Sequence, residues 1–418
     1  TAPSVRQLRE SNLPATTYRA RWILPMVGEP LLNSWITVEG GQIKAVGKSK
    51  DNLHSGIDLG SVAIIPGLVN AHTHFELSHL RDQVPQSRNF IDWVRSLVSN
   101  RNKFDDRNNL KIKQAAIQSI KEAKASGTAL VGDISNTLLT AKLMHEAPLG
   151  GVVFHELLGF DRTEVKSFIR EARTKIDMLP VFPDVRISLA PHAPYSVSTE
   201  MFKEIRRDLD THPDVVTSVH LGESEEELEL IAFGTGAWRE ELKILGVWTD
   251  SWKAVGETPV AYLANLGFLD QQVLVVHGVY FREVDLNQLA HLGVSLVTCP
   301  RSNKHVGVGS PPLESFYKAG LNVAIGTDSL ASVSDLNIFS ELFEARRIAP
   351  NIPARTLLQS ATVNGARALG FGKDYGSIEP GKRASLITVD IPVNEGNVEE
   401  YLLSGIQPSD VNWIEAET

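Results

Sequence analysis

A single cysteine, Cys299, occurs in the 418 residues. That scarcity excludes an intrachain disulfide and any cluster of thiolate ligands, so a metal site here has to be built from histidine and carboxylate. No apolar stretch approaches the roughly 18 to 20 residues that a membrane-spanning helix needs. The opening segment TAPSVRQLRE lacks the apolar core of a signal peptide. The expectation is a cytoplasmic protein without membrane association. Positive charge is also short: 41 Lys and Arg against 50 Asp and Glu leave a formal net charge of -9. Nucleic acid and anionic membrane surfaces need concentrated basic residues, so a small-molecule ligand is expected and a nucleic-acid partner is not. Low-complexity tracts, heptads and short tandem repeats are missing too. The one stretch with a nucleotide-loop flavour, residues 305–310, runs into Pro311-Pro312 where a phosphate-binding helix would have to begin.

What is present is a recurrence of short β-branched runs separated by amphipathic segments. Eight candidate strands cover residues 63–74, 128–135, 151–159, 185–194, 216–223, 273–279, 294–300 and 322–328. Between them, Ile112, Ala116, Ile120 and Ala123 repeat at helical spacing before Gly127, as do Leu286, Leu289 and Leu292. Eight apolar strands alternating with helices predict an α/β fold, a parallel (β/α)8 TIM-type barrel, with an open doubly wound sheet as the competing layout. The ends read differently. Residues 17–49 form strand-like runs with Gly40-Gly41 suited to a hairpin turn, and a strand pattern resumes at 376–390 after a helical segment from Pro353 to Leu369. Residues 1–64 and 371–418 are therefore expected to make one small β-sandwich domain around a catalytic barrel at 65–370.

Nearly every candidate strand is apolar until its C-terminal end. There the sequence places His72 and His74, Asp133, His155 and Glu156, His192, His220 and Glu223, His277, Cys299, and Asp328. In a barrel these ends share one face, the one that carries active sites. Three imidazoles and a carboxylate, His72, His74, His220 and Asp328, make a suitable donor set for one divalent ion such as zinc, with iron as the other candidate. Such an ion would lower the pKa of a bound water to roughly 7. Glu223, three residues past His220, is placed to carry the proton onward, and His277 to stabilise a tetrahedral centre or hold the hydroxide. Taken singly, His155, His79 and His291 read as hydrogen-bonded structural histidines. Glu225, Glu226 and Glu227 read as a solvated helix start beside a helix N-terminus.

The segments PGLVNAHTH, APHAPYSVS, VHLGES, VVHGV, TCPRSNKHVGVG and AIGTDSLAS, in this order, resemble the amidohydrolase superfamily and its purine and pyrimidine deaminase branch. The resemblance covers nearly the whole chain. It implies a mononuclear site with His72, His74, His220 and Asp328 as ligands, Glu223 as proton shuttle and His277 beside the hydroxide. Relatives with two ions use a carboxylated lysine on a central strand, and the third and fourth candidate strands hold no lysine. Among families in the branch, HTHFELS, APHAPYSVS, HLGES and CPRSN look most like aminofutalosine deaminases of a menaquinone route, with S-adenosylhomocysteine and methylthioadenosine deaminases as neighbours. By that likeness His192 would contact the base. The ribose-binding acidic residue of those neighbours is not found after the HxH pair, where SNRNKFDD stands instead, and Glu76 is the nearer carboxylate.

The expected activity is hydrolytic deamination of an adenine nucleoside, releasing ammonia and the hypoxanthine product. His192, Glu76, Ser302 and Asn303 are the candidate substrate contacts. Alternatives on the same site are S-adenosylhomocysteine, methylthioadenosine or adenosine deamination, or hydrolysis of guanine, cytosine or a chlorotriazine; a catalytically silent binding protein is the alternative from another class. A homodimer is left open.

Overall fold

The last residues of each half of the fold are stitched together by the backbone of histidines and an aspartate. A computed structural model describes residues 15–48, 56–102 and 110–414, so part of the SNRNKFDD stretch, residues 103–106, lies outside the described residues. Its barrel consists of two parallel four-stranded sheets. One joins Leu68–Thr73, Thr128–Ser135, Gly150–Leu157 and Val185–Pro191 in that order, and the other joins Thr217–Leu221, Val273–His277, Ser295–Thr298 and Asn322–Ile325. The first three strands of the chain-order series are buried at every residue, as expected of strands covered by helices outside and packed inward on the barrel core.

Two seams join the sheets. At the first, the His220 amide donates to the His192 carbonyl (2.9 Å), Thr217 Oγ1 donates to the Leu189 carbonyl (2.8 Å) and Ser188 Oγ to the Val216 carbonyl (2.6 Å). At the second, the Asp328 amide donates to the His72 carbonyl (3.0 Å), and Asn70 exchanges two bonds with Thr327 (2.8 and 3.0 Å). The interior is filled by Val69, Ala71, Leu130, Phe154, Val276 and Cys299 among others, and Leu369 and Phe371 belong to the same cluster. The chain therefore adopts the expected α/β barrel with a packed core.

Strands from both ends form one seven-stranded sheet, in the order Val411–Trp413, Leu386–Asp390, Val62–Pro66, Thr16–Ile23, Leu31–Glu39, Gln42–Lys48, with Ile57–Asp58 paired to Thr16–Ile23. The hairpin at Gly40-Gly41 is present. The sandwich expected of these strands is thus hydrogen-bonded throughout as a single sheet. Two further boundaries differ from the sequence reading. The run at 63–74 is two strands: Val62–Pro66 pairs antiparallel with Leu386–Asp390, and after Gly67 the chain enters the barrel as Leu68–Thr73. Pro66 has no amide to continue one ladder, so the change of sheet falls there. The helical segment after Pro353 is two helices, Ala354–Ser360 and Val363–Ala368, because the Ala361 carbonyl turns to accept the Val69 amide (2.8 Å).

The second seam leaves no room for a side chain at Gly326. A Cβ there would lie 2.8 Å from the Cβ, N and O of His72. Gly326→Ala is expected to lower stability by about 1–3 kcal/mol, the usual cost of overpacking, whereas Gly396→Ala, with nothing within 4 Å, should stay within about 0.5 kcal/mol of the parent. Denaturant unfolding of the two variants measures the difference, and equal stabilities would show that the seam yields freely.

Candidate metal and active site

His72 is the penultimate residue of the first barrel strand and His74 directly follows the strand, so both rings rise on the same side of the chain, two residues apart. Their Nε2 atoms are 3.2 Å apart. Two nitrogens bound at about 2.0–2.1 Å to one tetrahedral ion lie roughly 3.3 Å apart. Asp328, beyond the eighth strand, brings Oδ1 to 3.8 Å from His72 Nε2 and 3.3 Å from His74 Nε2. His220, from the fifth strand, packs its ring centroid 4.9 Å from that of His72, and ligand-capable atoms of His72, His74 and His220 all fall within 4.8 Å of one another. His220 Nδ1 is 3.0 Å from the His192 carbonyl. A carbonyl only accepts, so Nδ1 carries the proton and Nε2 offers its lone pair.

Burial makes these rings neutral. The pKa values of His72 and His74 are held well below the ordinary range by burial and then by the neighbouring imidazoles, and that of His220 falls to about 4 for the same reasons. Burial pushes Asp328 up to about 6 against its bonds from Ser302 and Ser329. Unprotonated imidazoles beside a carboxyl, with lone pairs converging, suit a divalent cation, which would replace the repulsion between them by a shared partner. Asp328 and His277 both hold positive φ (63° and 80°), the kind of backbone strain that persists where surrounding structure enforces it.

Around this centre the structure places the remaining groups. Glu223 is buried, and its Oε1 lies 3.5 Å from His277 Nε2. Its pKa is raised well above the carboxylate range by burial and then by Asp328 and Glu227. Asn303 Nδ2 donates to His277 Nδ1 at 3.0 Å, which leaves the proton of the neutral ring on Nε2, toward Glu223. Ser302 Oγ donates to Asp328 Oδ2 (2.6 Å) and pairs with Ser332 Oγ (2.8 Å). Ser302 and Asn303 are both completely buried; the Ser302 hydroxyl is engaged by Asp328 and Ser332 and Asn303 Nδ2 by His277, while Asn303 Oδ1 has no hydrogen-bond partner. His192 pairs its Nδ1 with Ser196 Oγ (2.6 Å) and stands 4.9 Å, centroid to centroid, from His220 and 5.6 Å from Tyr195, whose ring stacks on Trp238. Glu76 turns away from the histidines: its two oxygens accept from Ser135, from the amides of Asn136 and Thr137, and from Thr137 Oγ1 (2.6 Å). It ties the loop after the second strand. His155 and His79 bond the carbonyls of Ser135 and Glu76, and His291 is exposed on the helix Glu283–Leu292.

Two carboxylates escaped the sequence reading. Glu156 was seen at the third strand's end but given no role; it is buried, 3.7 Å from His220 Nδ1, with Oε2 bonded by Asn136. Glu227, read as part of a solvated helix start, is fully buried instead. Ser224 and Glu227 stand at the S-x-x-E spacing that marks a helix start, a signal for the helix and not for the burial of its third residue.

The model of the amidohydrolase family matches residues 63–410. A 5-methylthioadenosine/S-adenosylhomocysteine deaminase of Thermoanaerobacter pseudethanolicus is 29% identical over 92% of this chain and 88% of its own length. Among solved structures, aminofutalosine deaminase of Helicobacter pylori in complex with methylthio-coformycin superposes with a TM-score of 0.82 at 26% identity, covering 96% of this chain and 97% of that one. An adenosine deaminase of Xanthomonas campestris with bound Zn gives 0.80 at 26% identity, covering 96% and 91%.

Ser302→Ala removes the only side-chain donor recorded on Asp328 Oδ2 among the described residues. Outer hydrogen-bond partners of a ligand typically contribute 10–100-fold in metal affinity. A loss of at least about 10-fold is expected, read by competition with a chromogenic chelator, and an unchanged affinity would show that Asp328 needs no such support.

Proposed function

The chain belongs to the amidohydrolase family, and from that premise we propose that it hydrolyses the amino group of an adenine nucleoside, on a barrel comprising residues 65–370, with the terminal sheet as its accessory domain. His72, His74, His220 and Asp328 would hold one zinc ion. When bound, that ion supplies a Lewis acid that acidifies water. The single observation that carries the reading is the pairing of those four groups with a buried carboxyl, Glu223, facing a histidine across 3.5 Å.

Deamination adds water to the amine-bearing ring carbon and expels ammonia, so two protons must be moved. Glu223, whose burial favours its protonated form, delivers one to the ring nitrogen beside that carbon. Asp328 takes the proton released by the attacking water and passes it to the departing amine, and the remaining hydroxyl proton restores Glu223 as the carbonyl forms. His277, fixed by Asn303 with its Nε2 proton toward the centre, donates to the oxygen as negative charge develops. His192, secured through Nδ1 by Ser196, keeps Nε2 for the base. Exclusion of water by these buried walls strengthens each of these bonds.

Relatives named for 5'-methylthioadenosine, S-adenosylhomocysteine and aminofutalosine support a nucleoside altered at the 5' carbon. Our finer reading is aminofutalosine, supported by the HTHFELS and CPRSN segments and by the likeness to the Helicobacter pylori enzyme. That substrate would place the chain in menaquinone formation in the cytoplasm.

Ammonia release is the deciding assay, run with aminofutalosine, 5'-methylthioadenosine, S-adenosylhomocysteine, adenosine, cytosine, guanine and a chlorotriazine. Turnover of the adenine nucleosides alone is expected. Glu223→Gln should lower kcat by about 10²–10⁴-fold with metal content unchanged. Activity confined to cytosine, guanine or the triazine would overturn the nucleoside reading, and a near-normal rate in the variant would remove Glu223 from the mechanism.

A further inference from the structure

The proposed mechanism places Glu223 immediately after Gly222, in a turn that leaves the fifth strand. Nothing in the strand ladder fixes that turn, because Thr217–Leu221 ends one residue earlier. Gly222 has φ of +65°, and a Cβ there would lie 2.3 Å from the Phe281 ring, so only glycine allows the chain to turn at this point. The turn's carbonyls are held by the loop after His277: the Gly278 amide donates to the Leu221 carbonyl (3.1 Å) and the Tyr280 amide to the Gly222 carbonyl (2.9 Å). Its amides are held by one side chain. Glu227 Oε1 accepts the Gly222 amide and Oε2 accepts the Glu223 amide, both at 3.0 Å.

We propose that Glu227 is a positioning residue: its carboxyl clamps the two amides of the Gly222–Glu223 turn and so sets where the Glu223 side chain meets His277. This rests on Glu223 being the proton carrier. Three features of the site argue for it. Glu227 is completely buried, a costly place for a carboxyl unless its oxygens are engaged. It spends both oxygens on backbone rather than reaching back to the Ser224 amide, as a plain helix-start pair would, while Ser224 Oγ accepts the Glu227 amide (3.3 Å) and fixes the base of the side chain. Because the same turn hangs on the sixth-strand loop through its carbonyls, the clamp holds Glu223 in register with His277, the last residue of that strand.

The test uses the full chain loaded with zinc, with 5'-methylthioadenosine as the probe. Glu227→Gln preserves shape but replaces one acceptor oxygen with a donor, so one of the two amides loses its partner. A displacement of the order of 1 Å at a reacting group costs about 10²-fold. The expected result is a kcat lower by roughly 10- to 100-fold with KM within about threefold, a zinc content equal to the parent, and faster amide exchange in a peptide spanning residues 221–224. Glu225→Gln, at an exposed neighbour, should match the parent in every respect. A parental kcat in Glu227→Gln, a raised KM at constant kcat, or loss of zinc in step with activity overturns the proposal. The last of these would report collapse around His220 rather than displacement of Glu223. Should Glu227→Gln fail to fold, Glu227→Asp carries the same expectations, since it keeps the carboxyl but is too short to span both amides. If the parent chain releases no ammonia from any nucleoside, the deaminase reading fails on its own. Exchange then decides the clamp, with unchanged protection at Gly222 and Glu223 overturning it and faster exchange supporting it.

Discussion

The structure depends on how its two half-barrels are joined. Each seam is closed by a backbone bond between residues that also carry the site: the His220 amide to the His192 carbonyl, and the Asp328 amide to the His72 carbonyl. Strands within a half-barrel are joined by ladders of several residue pairs, but across the seams those two bonds and a few side chains carry the join. A polar cluster in the barrel mouth would ordinarily weaken a fold. Here its backbone serves as the join, so the geometry of the imidazoles and the integrity of the barrel are the same requirement. The close approach at Gly326 expresses this directly, because the eighth strand must lie against the His72 backbone for Asp328 to reach the histidines.

Electrostatics follow from that closure. Burial drives His72, His74, His192, His220 and His277 toward neutrality and drives Asp328, Glu223 and Glu227 toward protonation, the last to a pKa of about 7. Neutral imidazoles are suited to binding a cation through free lone pairs, and carboxyls whose pKa is raised toward neutrality are suited to moving protons. A cation that binds this folded arrangement and not the unfolded chain also stabilises the fold by mass action. The polar residues behind the centre, Ser302, Asn303, Ser196 and Asn136, each fix one oxygen or one ring nitrogen, which sets tautomers and orientations before any substrate arrives.

Much of this was legible in the sequence. The strand ends were readable because a barrel buries its strands on both faces, so a polar residue at the end of an apolar run stands out; the convergence of His72, His74, His220 and Asp328 followed from parallel topology alone. Other features were obscured for physical reasons. Pro66-Gly67 is the one local mark of a change of sheet at 63–74, and the hydrophobic pattern masks it because both sheets bury their residues. Glu227 sits among acidic neighbours at a helix start, where charge composition predicts solvent; only the turn at Gly222, a tertiary feature fixed by Phe281, brings its oxygens to buried amides. Ser302 and Asn303, named as candidate substrate contacts, lie buried on the short helix Pro300–Val306, and their bonds to Asp328 and His277 are tertiary contacts that no sequence pattern announces.

The strand Val62–Pro66 belongs to two cores at once: Val62 and Ile64 pack within the terminal sheet, while Ala63 and Ile65 pack with the barrel's outer core. It passes straight into the strand that carries His72, and its ladder partner is Leu386–Asp390, more than three hundred residues later. During synthesis the first barrel strand therefore emerges long before its flanking support, which waits for Leu386–Asp390. The seating of the strand that carries His72 thus depends on a pairing of very long sequence separation, the kind that forms slowly.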